Sequence, residues 1–208
     1  MPLFITFEGG EGSGKSIQSE TLFHKLAEKG IPAVLTQEPG GTLLGKEIAN
    51  ILKWSENKDI SPLAELMLFN ASRAQLVDEV IKPSLKQGKA VICDRFYDST
   101  TAYQGYGRGL DLDMVNTVNQ VAARGIKPDI TFLLKLAPEH GFSRKNRGDY
   151  DRFEKETANF HQRVFKGYLK LVSQEPERWL VIDATKTKDE ISEIILRRVS
   201  ELLPYRGA

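Results

Sequence analysis

One eight-residue stretch narrows the folds open to this chain more than any other: Gly9-Gly10-Glu11-Gly12-Ser13-Gly14-Lys15-Ser16, a complete G-x-x-x-x-G-K-S pattern. It follows an apolar, β-favouring run at residues 3–7. It opens a segment with helical spacing at Leu22 and Leu26 that stops at Gly30. Strand, glycine-rich loop and helix in that order make a phosphate cradle. The glycines let consecutive backbone amides turn inward without Cβ clashes, and the helix start adds about half a positive charge at the same point. Gly9, Gly10, Glu11, Gly12, Ser13 and Gly14 are therefore expected to wrap the phosphates of a nucleotide, although GTPases, ATPases and kinases all share such a loop. Lys15 is expected to reach the β- and γ-phosphates, and Ser16 to ligate Mg²⁺.

Further apolar runs at residues 33–36, 90–93, 130–136 and 179–182 are too continuous for strands with one wet face, so they read as central parallel strands. Segments with helical spacing separate them. The alternation predicts an α/β doubly wound fold, a parallel sheet flanked by helices, with ligands gathered outside the carboxyl ends of the strands. At 208 residues and 40% hydrophobic content the chain fits one compact domain. Lysine and arginine (29) nearly balance aspartate and glutamate (28), so no global field exists to hold nucleic acid or an anionic membrane, and phosphate recognition must be local. The sole cysteine, Cys93, ends an apolar run, which excludes an internal disulfide and favours a reducing compartment. The run at 3–7 is too short for a signal or a membrane span, so a cytoplasmic location is expected. Pro83 lies in the long third helical segment, where a kink or an early end is expected. The polar, irregular segment 138–152 reads as a lid.

The third strand runs into Asp94-Arg95-Phe96-Tyr97, which places a carboxylate and a guanidinium at the strand's carboxyl end beside the phosphate loop. An aspartate there can hold the Mg²⁺ shell, and an arginine can bridge two phosphates that otherwise repel. A regulatory GTPase is disfavoured. Asn57-Lys58-Asp59 has its aspartate one place early for a guanine reader, and no Asp-x-x-Gly switch occurs in the chain.

Four motifs in order, Phe7-Glu8-Gly9 with the loop, Glu38-Pro39-Gly40-Gly41-Thr42, Asp94-Arg95-Phe96 and Ser99-Thr100-Thr101-Ala102-Tyr103-Gln104-Gly105, resemble thymidylate kinases over nearly the whole chain. That resemblance implies a nucleoside monophosphate kinase-like P-loop fold with a five-stranded parallel sheet. It also implies a homodimer and Mg²⁺-dependent transfer from ATP to dTMP. It gives Glu11 an orienting role near the sugar 3′-hydroxyl and the acceptor phosphate, and makes Phe69 the ring that stacks on thymine. Arg73 becomes the guanidinium at the base's carbonyl edge, Arg95 the acceptor-phosphate ligand, Tyr103 the ring beneath the deoxyribose, and Thr100 and Gln104 polar neighbours. From periodicity alone Phe69 reads as core and Arg73 as a solvated helix charge.

Some members of that family carry an arginine within the loop, but the places beside Glu11 here are Gly10 and Gly12. The lid segment supplies Arg144, Lys145 and Arg147 instead, resembling the bacterial subgroup in which a lid arginine closes over the transferred phosphate. Arg152, in Asp151-Arg152-Phe153-Glu154, resembles a motif that braces the lid, and residues 184–186 stand where the family places part of its adenine pocket. Apolar positions on the third helical segment and on residues 111–124 suit a dimer contact. A deoxynucleoside kinase and a non-catalytic nucleotide sensor are the rival readings.

Overall fold

The computed structural model of the protein describes residues 2–54, 59–144 and 150–203. Five parallel strands, β1 (Phe4–Glu8), β2 (Ala33–Gln37), β3 (Ala90–Asp94), β4 (Ile130–Lys135) and β5 (Trp179–Asp183), form one sheet in the order β2-β3-β1-β4-β5. Every residue of β1 is buried, as are the first four of β3 and the first five of β4. Continuous apolar runs are what a sheet covered on both faces requires. Register is in step across the centre, with Ile5 beside Ile92 on one side and beside Ile130 on the other.

The two faces have distinct cores. Ile5, Phe7, Ile92, Phe132 and Leu134 pack with Leu22 and Leu26 of α1 (Lys15–Glu28) and with Ile191, Ile195 and Val199 of the C-terminal helix (Lys188–Leu202). The opposite face carries Phe4, Val91 and Cys93 against Leu76, Val77 and Ile81. Thr6 and Thr131, both fully buried, bond to each other at 2.8 Å on adjacent strands.

The strands end together, and the segments that matter for chemistry leave from that edge. After β2 comes a loop with a cis Glu38-Pro39 peptide and then α2 (Leu43–Trp54). Helix α3 (Pro62–Leu76) is capped by Ser61, whose side chain accepts from the Ala64 amide, and starts with proline in its first turn. The helical path does not end at Pro83. It passes through a π turn (Val77–Ile81) into α4 (Lys82–Lys86). The extra residue in the widened turn takes up the room the proline ring needs and the hydrogen bond it cannot donate. After β3 a short helix α5 (Tyr97–Thr100) continues as a second π segment (Thr101–Gly107), followed by α6 (Leu112–Ala123). After β4, α7 (Pro138–Ser143) stands at the phosphate loop, and α8 (Ala158–Gln174) packs on the second π segment.

Candidate active site

The loop between β1 and α1 is set by its glycines. Gly12 sits at φ +69°, and a Cβ there would fall 2.2 Å from the Gly141 carbonyl oxygen of α7. The loop and the base of the expected lid thus touch backbone to backbone. Helix α1 starts at Lys15 behind Gly14, with no side-chain cap and no acidic residue in its first turn. Its leading amides are left without an internal competitor for an anion. The Lys15 ammonium lies inside the loop, donating to the Gly10 carbonyl at 2.8 Å and to Ser13 Oγ at 3.3 Å. Burial lowers its pKa to about 8, with the nearby positive charge of Arg95 adding to the effect and Glu11, Asp94 and Glu8 opposing it.

At the end of β3, Asp94 accepts from Ser16 Oγ through Oδ2 at 2.5 Å, while its buried Oδ1 finds no hydrogen-bond partner among the described residues. A hydroxyl and a carboxylate with one orphaned oxygen suit a hard cation such as Mg²⁺, which takes oxygen ligands.

Arg95 adopts φ 70°, a left-handed conformation that side chains rarely hold without local compensation. Compensation is present. Nη2 pairs with Glu11 Oε1 at 2.7 Å, and Nη1 donates to the Gly9 carbonyl at 3.0 Å, Ser99 Oγ at 3.1 Å and Tyr168 OH at 3.2 Å. Behind it lies Glu8, fully buried, which accepts from the Phe96 amide, from Ser99 Oγ and from Tyr168 OH. Burial, then the like charge of Asp98, raises the Glu8 carboxyl to about 7 against the pull of Arg95.

These groups share a cavity of about 400 Å³ at the sheet's carboxyl edge. Glu11, Gly12, Gly14, Lys15, Ser16, Asp94 and Arg95 line its phosphate-like end, and Phe69, Thr100, Tyr103 and Gln104 line the other. Gly9, Gly10 and Ser13 form the loop beneath, held by the bond from Ser13 Oγ to the Gly10 carbonyl at 2.8 Å. Phe69 is half-buried: its ring tilts against the core ring of Phe153 with centroids 5.6 Å apart and also borders the cavity. Tyr103 donates to Glu11 Oε1 at 3.2 Å, with the Arg95 guanidinium 5.2 Å over its ring.

A scan against family models matches "Thymidylate kinase" over residues 7–195. The chain is 53% identical over 207 residues to a thymidylate kinase of Dehalococcoides mccartyi, covering 100% of both chains, and 43% identical to one of Roseiflexus castenholzii, covering 98% of this chain and 95% of that one. The solved thymidylate kinase of Ehrlichia chaffeensis superposes with a TM-score of 0.76 at 37% identity, over 96% of this chain and 98% of that one. The chain belongs to the thymidylate kinase family.

Two family expectations stand apart from the cavity as the fold presents it. Arg73 lines no part of it and has no exposed surface. Its five N–H groups are all engaged: Nε and Nη2 with Glu38, Nη1 with Asn70 at 2.8 Å and Asn119 at 2.7 Å, and Nη2 also with Thr100 at 2.6 Å. It is not a solvated helix charge, and contact with a base carbonyl requires that carbonyl to replace one of these partners. Arg144 donates from Nη1 to the Ala184 carbonyl at 2.9 Å, which ties the end of α7 to the loop expected to flank adenine. Arg147 and Lys145 fall outside the described residues. Arg152 donates from Nε to the Leu52 carbonyl at 2.9 Å and pairs with Glu65 at 2.6 Å, which ties it to α2 and α3.

Glu8, Ser99, Tyr168, Glu38 and Phe153 are site residues for which sequence reasoning offered no role. Glu8 left the clearest trace, the one charged residue of a fully buried strand. Tyr168, 160 residues away from Glu8 in the chain, left none.

Proposed function

We propose that this chain transfers the γ-phosphoryl group of ATP to dTMP, giving dTDP for DNA precursor synthesis, in the cytoplasm and as a homodimer that requires Mg²⁺. The observation that carries the reading is a single cavity with Lys15, Arg95 and the uncapped start of α1 at one end and the rings of Phe69 and Tyr103 with the polar Thr100 and Gln104 at the other. Arg95 binds the acceptor phosphate, and its ion pair with Glu11 keeps the guanidinium pointed there before substrate arrives. Glu11 then orients the acceptor from the sugar side. Lys15 leaves the Gly10 carbonyl for the β- and γ-phosphates, whose charge restores its proton affinity.

Ser16 and Asp94 hold the Mg²⁺, which when bound offsets the charge of the donor phosphates. Phe69 stacks on the thymine, Tyr103 packs beneath the sugar, and Thr100 and Gln104 form the polar side of the base pocket, with Arg73 behind Thr100 and able to reach the base's carbonyl edge only by giving up one of its present partners. Because the loop has glycine at positions 10 and 12, the cation for the transferred group comes from Arg144 or Arg147, on a lid formed by segment 138–152 of a single domain. Exposed Leu63 and Met67 on α3 and Val121 on α6 support a dimer contact, and a buried free Cys93 suits a reducing compartment.

Coupled ADP release tests the reading. Turnover is expected with ATP plus dTMP, and neither thymidine nor the absence of acceptor supports it. Equal turnover with thymidine would make the chain a nucleoside kinase, and acceptor-independent or absent turnover would make it a sensor. Near-normal kcat in both Arg144→Ala and Arg147→Ala would remove the lid assignment.

A further inference from the structure

Glu65, in the first turn of α3, has no exposed surface, yet its carboxylate accepts from two side chains and forms an ion pair with a third, which belong to different parts of the site. Oε1 takes Gln104 Nε2 at 2.7 Å and Arg108 Nε at 3.1 Å. Oε2 takes Arg108 Nη2 at 3.1 Å and pairs with Arg152 at 2.6 Å. Arg108 is itself fixed by an ion pair with Glu156 and lies over the rings of Phe160 at 4.7 Å and Phe153 at 5.9 Å. Two guanidiniums and an amide NH₂ converge on this one carboxylate, whose oxygens meet all of them as acceptors.

An amide has two chemically opposite ends, and nothing in the covalent structure of glutamine decides which one a ligand meets. Here the choice is forced. Only the NH₂ end of Gln104 can face Glu65, so the carbonyl oxygen Oε1 is the end left for the cavity that Gln104 lines. A pocket wall with a fixed acceptor at that point matches a pyrimidine whose N3 carries hydrogen, as in thymine and uracil. Cytosine presents a ring-nitrogen lone pair there, and two acceptors repel.

We propose that Glu65 is a specificity-determining positioning residue: by locking the Gln104 amide with its oxygen toward the acceptor base, it makes the enzyme select N3–H pyrimidine monophosphates over cytosine ones. This rests on the base-pocket assignment of Gln104 made above. Replacing Glu65 by glutamine supplies a donor as well as an acceptor, which frees Gln104 to turn its NH₂ toward the cavity. Replacing it by aspartate keeps an acceptor-only partner.

The test compares kcat/KM for dTMP and dCMP in the full-length enzyme, with thermal melts to confirm folding. Glu65→Gln is expected to lower the dTMP:dCMP ratio by at least about tenfold, through a higher KM for dTMP with kcat little changed, and Glu65→Asp to keep the ratio closer to that of the parent. An unchanged ratio in folded Glu65→Gln, or losses for both substrates in parallel, would overturn the proposal.

Should the variant not fold, the unaltered enzyme decides with N3-methyl-dTMP, which lacks the donor. Rejection of this analogue supports a fixed acceptor, and binding equal to dTMP refutes it. Gln104→Ala separates the two levels of the argument. If it leaves the KM for dTMP unchanged, the base-pocket assignment itself has failed. If it raises that KM while Glu65→Gln keeps the ratio, only the role of Glu65 is lost.

Discussion

The two ends of the cavity are built in opposite ways. At the end assigned to phosphate the lining groups come mostly from one eight-residue loop, the last residue of β3 and the arginine that follows it, with backbone amides and a helix start supplying the positive field. At the base end, each polar side chain is held by partners far away in sequence. Glu65 holds Gln104 from 39 residues away, and Arg73 meets Glu38 across 35 residues and Asn119 across 46. A phosphate is the same in every nucleotide, so a local device suffices. Telling one base from another requires fixed donors and acceptors, and fixing them takes a network that spans the fold.

If that contrast is right, substitutions at the two ends should fail differently. The largest effect is expected at Arg73. Arg73→Met keeps the apolar stem but leaves the buried Glu38 carboxylate without its partner, a loss of about 3–5 kcal/mol. For a domain of this size that is a fall in Tm of roughly 6–20 °C. Adding Glu38→Gln should recover part of it, since the stranded charge is then gone. A Tm within about 2 °C of the parent for Arg73→Met would show that the base end is not a stability network.

Arg95→Ala is expected to do the reverse, with kcat for dTMP falling by about 10²–10³-fold and little change in Tm. Its ion pair with Glu11 is partly exposed, both side chains retaining solvent contact at 16% and 21%, and so contributes less to folding than to preorganisation. A kcat within about threefold of the parent would break the phosphate-end half of the comparison.

The same contrast explains what could be read from the sequence. The apolar runs foretell five parallel strands, but only β1, β3 and β4 are central and continuously buried; β2 and β5, read equally as central, lie at the sheet's two edges with residues partly open to solvent, while the phosphate loop is a contiguous pattern whose flanking strand and helix are equally contiguous. Pro83 marks a disturbed stretch of helix, but that the disturbance is a π turn one step earlier in the chain is something no local preference announces. Arg73 misleads. Helical spacing reveals which face a residue shares with its neighbours but not that Glu38, Asn119 and Thr100 converge on that face from three other elements. Phe69 and Gln104 became site candidates through family resemblance. Glu65, Glu8 and Tyr168 had no motif to mark them, because their work consists of holding other side chains.

Within the base pocket, a network that discriminates by hydrogen bonds should be much less exacting toward the thymine methyl. One methyl in an apolar setting is worth about 1–3 kcal/mol, so dUMP should be a slower substrate by roughly 10–200-fold in kcat/KM. Parity between dUMP and dTMP would mean that no apolar surface meets the methyl, and a loss beyond about 10⁴-fold would assign it a steric role the comparison does not allow.

The smallest effect tests the phosphate end through protons. Lys15 must be charged to meet a polyphosphate, and in the free enzyme its pKa lies at about 8, well under the ordinary 10.5. Burial disfavours the charged form, so on raising the pH through 8 the free enzyme loses this proton. Between pH 7 and pH 9 the charged fraction falls by roughly tenfold, and ATP affinity should fall with it. Bound phosphates supply the missing negative charge and raise the pKa again, so binding above pH 8 must take up a proton. Calorimetry of ATP binding in two buffers of different ionisation enthalpy would read that uptake directly. A proton count near zero at pH 8.5, together with ATP affinity that stays flat to pH 9.5, would mean that the ammonium is already charged in the empty loop. In that case the phosphate end would be rigidly poised before ATP arrives, and the difference between the two ends would narrow to where their partners come from.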